Sequence, residues 1–240
     1  TGWLVEQAKA RGLTGIFGQA VTNHTYSQRV GHRFGLKDCA LLLGFIPSTV
    51  KFREMAENLT QRGSLIVHFM YLEQPSTMTV YAPEHHSEMI GKLYRNIGPW
   101  PEFTKPSAVW APSRDAHSVI SVRTIPTLNF ARIEIGGYGN NVVDEVRSML
   151  RDLCLKRTEV INLYLDLSDP ATFHLTAEFE KLGFFFAGLL PAATRHGDAL
   201  ILQYLNNVPI DYDQIRVASE AAKELISYVR SLGPAARTFV

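Results

Sequence analysis

Cysteine is scarce in this chain: Cys39 and Cys154 are the two in 240 residues, and they form no framework. Both lie inside apolar segments, where a free thiol packs as a small hydrophobe, and this usage points to a reducing compartment, the cytoplasm. Long hydrophobic runs are missing as well. The longest apolar stretches, 39–47 and 183–191, fall far short of the roughly 20 residues that cross a bilayer, so they read as buried strands and no membrane partner is expected. Charge of either sign is not in excess: 24 Lys and Arg face 23 Asp and Glu, for a net +1. The basic residues are scattered, which argues against nucleic acid as a partner, because that function needs a basic stripe. No signal-peptide layout is visible. The opening TGWLVEQAKARGL lacks an initiator Met and starts in mid-pattern, so the sequence is expected to be part of a longer protein.

What is there is an alternation of helical and strand patterns around a real core, with hydrophobic residues at 46%. Residues 3–11 read as a helix stopped by Gly12, 13–21 as a strand, and Thr22, Asn23 and His24 as cap chemistry. A short helix with Val30 and Phe34 on one face ends at Gly35. Residues 39–46 are a buried strand, Phe52, Met55 and Leu59 recur at helical spacing, and 64–72 are another strand. Strand-like 77–81 and a helix with Met89, Leu93 and Ile97 on one face follow. The stretch GPWPEFTKPSAVWAPS reads as a Pro-rich linker that Trp100 and Trp110 should pack down. Beyond it, SVISVRTI and NFARIEI are strand-like. GGYGNN leads into a helix with Val143, Val146, Leu150 and Leu153 on one face. Residues 159–167 are a strand, and Asp169–Pro170 start a helix that buries Leu175, Phe179 and Leu182. Strands 184–190 and 199–205 and a final helix close the chain.

The two halves share one order: helix, strand, cap, short helix, glycine, buried strand, proline, connection, strand. Gly44 and Pro47 match Gly188 and Pro191 without a gap, and Gly63 with Leu72 answers Gly197 with Leu205. The organisation expected is a half at 1–98, a linker at 99–116 and a second half at 117–240. Glu84 and Glu88 read as first-turn charges. His85 and His86 are adjacent, so their rings cannot share a helix face, and no metal site is expected there.

A strand, a short capped helix ending in Gly plus a hydrophobe, and two antiparallel strands resemble the second part of an acyl-CoA N-acyltransferase domain of the GNAT superfamily. The residues that carry this are Asn23, Ser27 and Gly35–Leu36 in the first half and Gly183–Phe184 in the second. GQAVTNHTYSQRVGHRFGLKDCALLLGFIP and FEKLGFFFAGLLP also resemble the tail of bacterial proteins that join a GNAT region to an anti-sigma-factor-like ATPase module. The resemblance implies an α/β fold of two GNAT-like halves, each a mixed, mostly antiparallel sheet flanked by helices. It implies acetyl-CoA or another acyl-CoA as donor and an amine as acceptor.

Such a site needs backbone N–H groups at a glycine loop and helix start for the diphosphate, and a proton donor for the leaving thiolate. The loop expected is Gly136, Gly137, Tyr138, Gly139, Asn140 and Asn141, with the first N–H groups of 140–143 unpaired; the first half's own loop is expected before Thr1, and Asn23 and Ser27 are further cofactor-binding candidates. The Arg or Gln that leads the family's loop is missing, and Asp144 and Glu145 already bring negative charge. The family's Tyr, counted four residues back from the terminal glycine, falls on Gly31 and Phe179, and neither can donate a proton. Tyr26 and His32 are the candidates left. The alternative function is a GNAT-like module without the chemistry that binds a ligand or a regulatory protein partner.

Overall fold

The computed structural model describes residues 2–49, 61–75, 78–98, 100–107, 110–112 and 117–233. Phe52, Met55 and Leu59 lie outside the described residues. The chain is α/β, with a large mixed sheet. In chain order its elements are α1 (Gly2–Ala10), β1 (Gly15–Val21), α2 (Tyr26–Arg33), β2 (Lys37–Ile46), β3 (Gly63–Tyr71) and β4 (Thr79–Val80). A 3-10 turn (Glu84–His86), α3 (Ser87–Ile97), β5 (Glu102–Phe103), β6 (Val119–Ile125) and β7 (Phe130–Gly137) follow. The chain continues through α4 (Val142–Leu155), β8 (Val160–Asp166), α5 (Pro170–Lys181), β9 (Phe185–Leu190), β10 (Ala199–Leu205) and α6 (Glu220–Leu232). No helix among the described residues is long and apolar enough to cross a membrane.

The main sheet has eight strands in the order β1-β3-β2-β9-β10-β8-β7-β6, and every neighbouring pair is antiparallel except β7 with β8. The sequence pattern explains which strands sit inside. CALLLGFI, FFAGLL and ALIL are nearly continuous apolar runs, as strands covered on both faces require, and β2, β8, β9 and β10 are buried along most of their length. Of the edge strands, β6 is largely exposed and β1 mostly half-buried. Helices α3 and α6 both pack on β2 and β9. In the linker, β5 pairs in parallel with β4. Trp110 packs against the core, but Trp100 stays 64% exposed, touching Arg95 and Phe103.

The trio β1-β3-β2 and the trio β8-β10-β9 have the same strand order relative to the chain. The expectation of a separate sheet for each half is corrected: the two trios meet edge to edge, Ala40 of β2 opposite Gly188 of β9. An edge left open here would strand buried N–H and C=O groups, and each edge answers the other's need. The short helix also departs from its pattern. On α2 the apolar Val30 is 49% exposed, while Gln28 is buried. Its amide donates to the carbonyls of Val21, His24 and Arg216, and its oxygen accepts from Ala218 N–H.

Candidate functional site

Where β7 and β8 run side by side, the sheet opens. Their parallel ladder runs from Phe130↔Val160 to Glu134↔Tyr164 and stops, although β7 continues to Gly137 and β8 to Asp166. On its other side β7 carries a bulge: Val119 pairs with Gly137 and Ile120 with Ile135, leaving Gly136 over. A bulge adds local twist and bends its strand, here just where β7 leaves β8. Each strand then feeds a helix start, α4 after β7 and α5 after β8. Arg132 lies 3.8 Å over the Tyr164 ring and 2.9 Å from Glu134, so the last paired residues are pinned together.

The glycine segment sits at the mouth of this opening. Gly136 and Asn140 are exposed, Gly137 and Asn141 half-buried, and Gly139 buried. Several of its donors already have acceptors. Gly139 N–H donates to the Ser118 hydroxyl at 3.2 Å, Ser118 donates to Asn141 Oδ1 at 2.8 Å, and Val142 N–H donates to the Gly139 carbonyl at 3.3 Å. The expectation of unpaired N–H groups over 140–143 is therefore corrected at Val142. Asn141 stands at the N-cap, yet its side-chain amide turns to Glu145. Tyr138 reaches across the opening: its hydroxyl lies 3.0 Å from Thr172 Oγ1, in the first turn of α5. Burial pushes the Tyr138 phenol pKa up from its ordinary value.

Behind the end of β8 lies a cluster that sequence reasoning missed. Asp198 Oδ2 accepts from Tyr94 at 2.8 Å and Tyr71 at 3.3 Å, and Oδ1 accepts from Ala192 N–H at 2.9 Å. Asp166 accepts from Ser168 and Thr194. Desolvation raises the Asp198 pKa more than these bonds lower it, and burial beside Asp198 raises Tyr94 and Tyr71. Nothing local could have signalled this, since Tyr71 and Tyr94 are separated from Asp198 by most of the second half.

The first-half candidates stand elsewhere. Between β1 and β8 lie the pairs β1–β3, β3–β2, β2–β9, β9–β10 and β10–β8, all antiparallel, so β1 opposes β8 and β7 in direction. The loop holding Asn23, after β1, thus lies at the opposite edge of the sheet from residues 136–141, and the two groups form no common site. Ser27 is exposed and Tyr26 is 80% exposed. His32 is placed more purposefully: its Nε2 lies 2.9 Å from Asp38 Oδ1, and buried His68 brings Nδ1 to 2.7 Å from the same oxygen. The Ser219 hydroxyl donates to the other oxygen, Oδ2. Burial raises the Asp38 carboxyl, but its bonds with His68, His32 and Ser219 outweigh that and hold it below the usual carboxylate range. His85 and His86 correct the helix-face expectation. They lie in a 3-10 turn, not a helix, and both rings reach Glu180.

A cavity of about 720 Å³ lined by Lys181, Phe185, Tyr204 and Asn206 lies mid-sheet at the strand ends opposite the opening, by the start of β9 and end of β10. It takes no part in the opening. No known family model matches the chain, and no curated protein matches it either.

Proposed function

We propose that the protein is an acyl-CoA-dependent N-acyltransferase, transferring acetyl or another acyl group to an amine, with its donor held between β7 and β8. One observation carries this: a parallel ladder that stops at Glu134↔Tyr164 while both strands continue, beside a bulge at Gly136. An extended ligand bearing amides can continue such a ladder with its own hydrogen bonds. Its diphosphate then meets the start of α4, where the helix dipole adds partial positive charge. The repeated strand order of the two trios supports the same reading.

A second reading, a GNAT-like module that binds a ligand or regulatory protein without turnover, rests on the closed state of the opening. Tyr138 bridges to Thr172, Ser118 takes the Gly139 N–H, and Asp144 and Glu145 stand in the first turn of α4. Calorimetric titration of acetyl-CoA, joined to a thiol-release assay with polyamine and peptide amines, separates the two. Binding by the wild type that Gly139→Val abolishes, with thiol release, upholds the acyltransferase. Binding only in Tyr138→Ala, without thiol release, upholds the module. Absence of binding in both at millimolar ligand ends the acyl-CoA reading.

A further inference from the structure

The 3-10 turn before α3 meets α5 and α6 in a cluster of two imidazoles and one carboxylate. Buried His86 lies with Nδ1 2.7 Å from the Tyr228 hydroxyl and Nε2 2.6 Å from Glu180 Oε1. The Tyr228 hydroxyl donates to the His85 carbonyl at 3.1 Å. That one phenol proton can instead go to His86 Nδ1, at the shorter 2.7 Å, which leaves the ring N–H on Nε2 for Glu180. His85 brings its own Nε2 to 2.8 Å from Glu180 Oε2. Two imidazole Nε2 atoms and both oxygens of one carboxylate converge, a donor set that a metal ion can take in place of the ring protons.

We propose that His85, His86 and Glu180 bind one divalent transition-metal ion, zinc by its preference for two imidazoles and a carboxylate. Tyr228 supplies the support that a metal-bound imidazole requires, an acceptor for the ring's other N–H. The Phe186 ring, 4.7 Å from His86, lines the site with apolar surface. His85 is 47% exposed on its side chain, so a fourth position opens to water. Zinc–ligand distances of about 2.0–2.2 Å set donors roughly 3.3 Å apart. The three groups must spread by about 0.5 Å, and exposed His85 has the freedom to do so. The ion would tie the turn before α3 to α5.

The cluster of His32, Asp38 and His68 differs. His32 Nε2 and the Ser219 hydroxyl bond Asp38, while His68 Nδ1 lies 2.7 Å from the carboxylate outside hydrogen-bond geometry. Metal at His68 Nδ1 would leave a buried Nε2–H with no acceptor among the described residues.

The test uses the untagged chain, stripped with chelator and dialysed against zinc chloride, with metal measured by elemental analysis. One equivalent per chain is expected, and cobalt substitution should give visible ligand-field bands. His85→Ala, at an exposed position, should weaken binding by about tenfold or more. The same variant should abolish the zinc-dependent rise in thermal midpoint, whereas His32→Ala should retain both. No stoichiometric uptake, uptake unchanged in His85→Ala, or uptake lost in His32→Ala would each overturn the assignment.

Discussion

Asp38 shows how one residue gains a role its neighbours in sequence do not announce. It is 1% exposed, a setting that would normally keep a carboxyl protonated, yet its pKa lies below the ordinary value because His68, His32 and Ser219 surround it. A carboxyl whose pKa is lower folded than unfolded adds stability above its unfolded value, about 3.9, and loses it as pH falls through the folded value. Urea midpoints measured at neutral pH and near pH 3 should therefore show a smaller drop in Asp38→Asn than in the wild type. Equal drops would mean the buried carboxyl contributes nothing to the acid limb. Gly188 is the second telling residue. Its φ is +127°, and a Cβ there would lie 2.4 Å from the Cα of Ala40. Its sequence counterpart Gly44 also has positive φ, +56°. The matched glycines mark a real backbone requirement, although only β9 uses its glycine for close approach to β2.

Element by element, α5 is the clearest case of sequence determining structure. Asp169 accepts a hydrogen bond from Ala171 N–H, Pro170 fills the first turn, and Leu175 and Phe179 turn inward at helical spacing. Phe179 is fully buried, so Phe179→Ala should cost roughly 3–5 kcal/mol, read as a lower denaturation midpoint at unchanged slope. An unmoved midpoint would mean that the helix packs through another face. Leu182, expected beside it, is only half-buried, because α5 has already ended at Lys181. Helix α2 shows the opposite outcome: tertiary hydrogen bonds draw Gln28 inward and leave Val30 in solvent. Periodicity registers hydrophobicity and has no access to carbonyls at Val21 and Arg216 that need a donor.

For the whole molecule, the seam between the trios governs how it unfolds. β2 pairs with β9, α3 and α6 cover both, and Arg62 ties the two halves. Its guanidinium donates to the carbonyls of Gly44, Phe45 and Leu128 and to Glu159. With so much buried surface shared, the chain should unfold in one cooperative transition, with far-ultraviolet and near-ultraviolet circular dichroism superimposed across urea. Two resolved steps would show that the halves are independent units after all.

The sequence alone determined the kinds of element and most of their limits. Those features depend on apolar spacing, cap residues and turn glycines, which act over a few neighbours. It also singled out residues 136–141 as the loop between a strand and a long helix. Tertiary structure alone decided that both trios form one sheet, that β7 parts from β8 beyond Glu134, and that Tyr138 fills the gap. It also decided the gathering of His85, His86 and Glu180, and of Asp198 with Tyr71 and Tyr94. Such arrangements join groups far apart in the chain, brought together by buried polar atoms seeking partners once the core has closed.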